Sequence, residues 1–182
     1  MDREDRDIDF RAYRTADFDQ VASLWTRINR ELAPADKREL FETYIATAIE
    51  SELTRLHDIF SEAKRNGFWV VESGTQIVGT FGLQSCSPDC TELRRMYLDT
   101  GFRGRGIAQA MLDFAQTRAR ALGFSKMILS TAEIQKAAVR FYRRNGFHHI
   151  RTEVADTASI KQAGGGLARL YFEKPLDRAN VR

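Results

Sequence analysis

Three glycines within six residues, placed where a strand gives way to a helix, constrain this chain more than any other feature. The stretch is Leu98-Asp99-Thr100-Gly101-Phe102-Arg103-Gly104-Arg105-Gly106-Ile107-Ala108. Before it, residues 91–98 read as a strand with Leu93, Met96 and Leu98 among its apolar positions. After it, Ile107, Met111, Ala115, Ala119 and Leu122 form a helical stripe that Gly123 is suited to close. A helix start offers free N–H groups and the positive end of the peptide dipoles, and glycines let an anion approach the backbone. Arg103 and Arg105 add charge and forked donors. The backbone of Arg103, Gly104, Arg105, Gly106, Ile107 and Ala108 is therefore expected to cradle the diphosphate of a cofactor.

Two common phosphate loops are excluded. No Gly-Lys-Ser/Thr follows the glycines, and the dinucleotide pattern G-x-G-x-x-G fails because Gln109 holds its last position. An arginine-glycine RNA-binding segment calls for a disordered repeat, whereas this one runs into a helix. A glycine-rich turn carrying two solvated arginines is the reading without function.

The rest of the chain supplies the frame. Residues 8–12 alternate as a first strand, and Thr15 reads as the N-cap of a helix carrying Val21, Leu24, Trp25, Ile28 and Leu32. Residues 36–64 fit one long helix, or two broken near Ser51. Residues 68–72 and 76–84 read as a hairpin, in which Gly79 and Gly82 suggest a bulge or a close backbone approach. Strand 126–130, helix 133–145 closed by Gly146, and strands 147–154 and 168–173 complete the pattern, with Gly164-Gly165-Gly166 in a mobile loop. The expected class is α/β, one mixed sheet of about seven strands with about four helices, in the order β-α-α-β-β-β-α-β-α-β-β.

With 182 residues, 43% of them apolar, the chain suits a single domain spanning 1–182 that needs no metal to hold its core. No apolar run approaches the ~18 residues of a membrane span, and the charged start lacks a signal sequence. These features predict a soluble cytoplasmic protein. Cys86 and Cys90 read as reduced thiols flanking a turn, and the three histidines lie too far off to complete a zinc site. The net charge is only +3, so the totals give no sign of a nucleic-acid partner. Locally, Arg94, Arg95, Arg103 and Arg105 are expected to crowd around one turn.

Two further runs identify a resemblance. Arg103-x-x-Gly106-x-Ala108 resembles the Q/R-x-x-G-x-G/A signature of the GNAT superfamily of N-acetyltransferases, and Glu92-Leu93-Arg94-Arg95-Met96-Tyr97-Leu98 resembles its fourth strand. Ala138-x-x-Phe141-Tyr142-x-x-x-Gly146-Phe147 is similar to its motif N-x-x-A-x-x-x-Y-x-x-x-G-F. The likeness covers about residues 8–176. It implies acetyl-CoA as co-substrate, its diphosphate on the amides of Arg103 to Ala108. Its pantetheine arm would pair with the backbone of Met96, Tyr97 and Leu98, where the fourth and fifth strands part.

The amide of Leu98 would polarise the thioester carbonyl and hold the oxyanion of the tetrahedral intermediate. Tyr142 matches the tyrosine that protonates the leaving thiolate, and a neutral phenol suits that task. Glu92 stands where some members place a base, with a surface carboxylate paired to Arg94 as the alternative. Gln135 replaces the usual Asn seven residues before Tyr142, one methylene longer toward the pantetheine. His148 and His149 are expected to be structural or exposed. Trp25, Asn29, Arg30, Tyr44 and Phe81 are candidates for the acceptor side.

The resemblance thus implies direct acetyl transfer to a primary amine, without a covalent enzyme intermediate. A small-molecule acceptor is expected, with a protein N-terminus or lysine as the alternative. A non-catalytic acyl-CoA-binding module is a second alternative. The likeness implies no metal, no nucleic acid and no membrane, and is compatible with a homodimer.

Overall fold

The computed structural model describes residues 8–157, 159 and 163–176. Its seven strands are β1 (Ile8–Ala12), β2 (Gly67–Ser73), β3 (Gln76–Ser87), β4 (Cys90–Leu98), β5 (Lys126–Ala132), β6 (His148–Ala155) and β7 (Leu167–Pro175). They join one sheet in the order β1-β2-β3-β4-β5-β7-β6. Four longer helices, α1 (Phe18–Leu32), α2 (Arg38–Ser51), α4 (Ile107–Ala121) and α5 (Lys136–Arg144), accompany the short α3 (Leu56–Ile59). The mixed α/β class expected from the sequence is the one observed.

Strand alternation sorts the core into two faces. On β2, Phe68 and Val70 join Val21, Leu24, Trp25 and Ile28 of α1, while Trp69 and Val71 join Met111, Leu112 and Ala115 of α4. The sheet is therefore covered on both sides. Its neighbours pair antiparallel except β4 and β5, which run parallel.

Several local expectations change. Thr15 is not the N-cap of α1: Thr15–Asp17 is a 3-10 turn. Asp17 does the fastening, accepting from the Arg14 backbone N–H at 2.7 Å and from both Nη atoms of Arg11. Those Arg11 bonds hold the Asp17 carboxyl below its ordinary range despite partial burial. Thr15 Oγ1 instead meets His57 Nε2 at 2.9 Å. The helical pattern after Asp36 does break at Ser51, and the break turns Glu52 fully inside. Helix α5 starts at Lys136, not Glu133, because the Gln135 side chain closes the preceding turn on the Ala132 N–H.

The glycine run before β7, expected to lie in a mobile loop, makes specific contacts. Lys37 Nζ donates to the Gly165 carbonyl at 3.1 Å, and Ala163 is buried against Phe41, Tyr44 and Ile45 of α2. The segment 163–167 is docked on α2; residues 158 and 160–162 of the expected mobile loop lie outside the described residues.

Gly79 and Gly82 fulfil both sequence readings. A bulge lies beside Gly79, where Val71 pairs with Gly79 but Glu72 pairs with Ile77. At Gly82 a Cβ would come within 2.7 Å of the rings of Phe60 and Phe68. Gly82→Ala should therefore destabilise the protein by about 1–3 kcal/mol through overpacking, read as a lower midpoint in urea unfolding. An unchanged midpoint would show that these rings can yield.

Candidate active site

The site begins with a parting of strands. Residues 90–93 of β4 pair with 126–129 of β5, and beyond them the two strands have no pairing, although β4 continues to Leu98 and β5 to Ala132. A bulge in β4 accompanies the parting. Gly82 pairs with Arg94 and Thr80 with Tyr97, so β4 carries one extra residue, and Arg95 takes φ 51°. A bulge bends its strand and increases local twist. Trp25 Nε1 donates to Thr80 Oγ1 at 3.1 Å, and that hydroxyl donates to the Arg95 carbonyl at 2.9 Å, which fastens the bulge to α1.

Backbone direction follows from the same register. The Asp99 N–H donates to the Val78 carbonyl at 2.8 Å, so Leu98, opposite Gly79, occupies a non-hydrogen-bonded pair of the ladder. Its N–H and C=O then point away from β3, into the gap left by β5. Arg103 Nε donates to the Leu98 carbonyl at 3.1 Å. The Leu98 N–H is the donor left facing the gap.

The glycine loop follows directly. The Asp99 carboxylate accepts from the Gly101 N–H at 2.9 Å and starts the 3-10 turn Thr100–Phe102. Helix α1 holds this turn through an ion pair of Arg27 with Asp99 and a 2.6 Å bond from Thr100 Oγ1 to Glu31. Gly104 and Gly106 have φ 77° and 80°, and a Cβ on either would meet nothing within 4 Å. The loop thus opens onto free space immediately before Ile107 and Ala108 begin α4. Arg105 lies 5.2 Å above the Phe102 ring.

The four arginines do not crowd one turn as expected. Arg103 and Arg105 flank the loop, whereas the bulge turns Arg94 and Arg95 to the same side of β4. Both guanidiniums bind one oxygen of Glu52, at 2.9 and 2.6 Å, with the Glu52 side chain fully buried. Glu92 is therefore not the partner of Arg94; Arg94 bonds Glu52 and Gln84.

Beyond the gap lies an open-mouthed cavity. Of the residues singled out from sequence, Glu92, Met96, Tyr97, Gln135, Tyr142, Asn29 and Tyr44 line it. Trp25 and Phe81 are core residues, 2% and 0% exposed, and Arg30 is an exposed partner of Glu42. Those three acceptor-side candidates are set aside. His148 and His149 lie on the exposed edge strand β6, outside the cavity.

The polar floor is built around Arg95, which donates from Nη1 to the Tyr44 hydroxyl at 2.8 Å. Burial, with the nearby Tyr97, pushes the Tyr44 phenol up to about 12. Burial also raises Tyr97, but the Arg95 charge and hydrogen bonds with Asn29, Arg95 and Tyr44 outweigh it and hold that phenol below its ordinary value. Tyr142, on α5, packs edge-on between Phe141 and Phe147, and burial pushes its phenol well above the ordinary value. The side-chain oxygen of Gln135 accepts from Thr131 Oγ1 and the Ala132 N–H, which leaves its NH2 group as the end available to the cavity.

Sequence reasoning missed Glu52, Ser130 and Arg169. Glu52 follows a helix break, where an acid ordinarily faces water. Ser130 and Arg169 alternate with apolar residues on β5 and β7, as solvent-facing residues do. No local signal marks either as pocket lining. Replacing Glu52 with Gln leaves two buried guanidiniums without their counter-charge. We expect Glu52→Gln to cost about 3–5 kcal/mol in denaturant unfolding; a loss below about 1 kcal/mol would mean that water reaches both arginines.

Comparison with known proteins places this geometry. The model of the acetyltransferase (GNAT) family matches residues 32–147. N-acetylaspartate synthetase of Danio rerio is 30% identical over 141 residues, which is 75% of this chain and 48% of that protein. An uncharacterized N-acetyltransferase of Escherichia coli, YjgM, is 33% identical over 117 residues, 63% of this chain and 70% of that protein. N-acetyltransferase 8 of Rattus norvegicus is 30% identical over 59% of this chain and 50% of its own length. The chain thus spans about half of the first and third relatives. Two solved structures share the fold at lower identity. PaiA N-acetyltransferase of Thermoplasma acidophilum, in complex with coenzyme A, has a TM-score of 0.71 at 18% identity, covering 93% of this chain and 99% of that one. YncA of Salmonella typhimurium, with acetyl-CoA, has a TM-score of 0.66 at 15% identity, covering 96% of each.

Proposed function

We propose that this chain, which belongs to the acetyltransferase (GNAT) family, moves an acetyl group from acetyl-CoA to the primary amine of a small molecule by direct attack within a ternary complex. The observation that carries the reading is the Leu98 N–H, aimed into the strand gap with the glycine loop at one end and the Tyr142 cavity at the other. The residues present fit acetyl-CoA. Two left-handed glycines leave open space where a diphosphate would approach α4, and the parted strands leave room for an extended arm along Met96, Tyr97 and Leu98. The co-substrate supplies an activated acyl group and a thiolate leaving group.

The chain's own residues would do the rest. The Leu98 N–H would donate to the carbonyl oxygen as negative charge grows on it, in a site shielded from water. Tyr142 would give its proton to the departing sulfur, and burial keeps that phenol protonated across the neutral range. Glu92, 9% exposed on the cavity wall, would take the proton that the acceptor ammonium must lose before attack. The acceptor side is roofed by the segment before β7 docked on α2, which favours a compact acceptor over a protein chain. The zebrafish relative, an N-acetylaspartate synthetase by name, supports the same choice. That all seven described strands share one sheet supports reading 1–182 as a single domain.

Two outcomes follow. Tyr142→Phe should lower kcat by about 100-fold or more, the range for general acid catalysis, with acetyl-CoA affinity retained; unchanged kcat would remove the acid role. The pH–rate profile should rise as the acceptor and its base lose protons. Because Tyr142 is raised above the phenol value of about 10, no descending limb should appear below that pH in wild type. A fall near pH 8 would require a different acid.

A further inference from the structure

The cavity wall contains a cation that pairs with no carboxylate among the described residues. Arg169 stands on β7 opposite Ala132 of β5 and lines the cavity. Alternation places Leu170 and Phe172 in the core beneath the other face, so Arg169 rises on the acceptor side. Its Nε donates to Ser130 Oγ at 2.9 Å and its Nη2 to the Ser130 carbonyl at 3.3 Å. Both bonds use one edge of the guanidinium. The Nη1–Nη2 edge keeps its two N–H donors, in the parallel arrangement that receives a carboxylate.

No described carboxylate takes that edge. The cross-strand neighbour of Arg169 is Glu153, but its carboxylate is bound by the Tyr171 hydroxyl and by Arg151 Nε at 3.0 Å. Tyr44 and Tyr142 both experience the positive charge of Arg169 across the cavity. The charged side chains around the site are Arg94, Arg95 and Arg169 against Glu52 and Glu92, three cations to two anions. Glu52 is committed to the first two arginines. The site thus carries a net positive charge, and Arg169 is the partly buried cation in it, oriented by Ser130, whose free edge no described carboxylate takes.

Resting on the acetyl-transfer reading above, we propose that the acceptor is an amine that also bears a carboxylate, and that Arg169, braced by Ser130, is the group that binds this carboxylate. The amine end would then lie toward Glu92 and the Leu98 N–H. An uncharged or dicationic amine would leave Arg169 either unpaired or repelled, so the same residue selects by charge.

Binding tests this separately from turnover. The probes are the common L-amino acids and the amines obtained by removing their carboxylate, titrated calorimetrically into wild type, Arg169→Gln and Arg169→Lys with saturating CoA. We expect at least one amino acid to bind, and its decarboxylated amine to bind about 10- to 100-fold more weakly, the range for a charged hydrogen-bonded contact. Arg169→Gln should erase that difference and Arg169→Lys should keep part of it, while CoA affinity and melting temperature report an intact fold. Equal binding of acid and amine, a preference that survives Arg169→Gln, or no amino acid binding at all would overturn the inference. Acetyl transfer is then assayed with the same probes. Selective binding without transfer would leave the carboxylate site standing and remove the enzymatic reading, whereas transfer to uncharged amines alone would do the reverse.

Discussion

One buried carboxylate between two guanidiniums organises the site. Strand β4 must admit an extra residue to bend away from β5, and the extra residue is an arginine in a left-handed conformation, uncommon for a residue with a Cβ. The conformation persists because the surroundings specify it. Glu52 draws Arg94 and Arg95 to one side of the strand, and Trp25 and Thr80 hold the Arg95 carbonyl. Ions this deep lose their hydration, and their mutual attraction offsets that loss only where geometry and hydrogen bonds are good. The arrangement is better understood as a means of fixing the shape of β4 than as a source of net stability.

From that bend the functional features follow in order. Parted from β5, the strand presents the Leu98 N–H to a gap. The Arg103 side chain binds the Leu98 carbonyl and so ties the glycine loop to the same residue that presents its N–H to the gap. Helix α1 grips the loop through Arg27 and Glu31. The loop, the oxyanion donor and the cavity floor are thus connected through one short length of backbone. A change at Glu52 is expected to reach all three.

How far this was legible in the sequence depends on the range of the interaction. The strand–glycine–helix passage at residues 98–108 and the closing glycines at 123 and 146 are local patterns, and they appear where the sequence put them. Gly79 and Gly82 likewise declared a bulge and a close approach. The helix starts were less readable, because Asp17 and Gln135 close the turns before α1 and α5 through contacts that propensity alone does not rank above Thr15 or Glu133. The side-chain network was least readable. Glu52 lies 42 residues from Arg94 and Ser130 lies 39 from Arg169; periodicity carries no record of such pairs. The arginine cluster seemed local for the same reason, and folding divided it between the loop and the interior.

The most direct test of the central claim is a backbone amide NMR titration of the protein with acetyl-CoA. The geometry predicts the largest perturbations at Gly104, Gly106, Ile107 and Leu98, with Leu98 shifting further for acetyl-CoA than for CoA because only the former brings a thioester carbonyl to its N–H. Perturbations confined to surfaces away from β4 and the start of α4, or a Leu98 amide indifferent to the acetyl group, would contradict it.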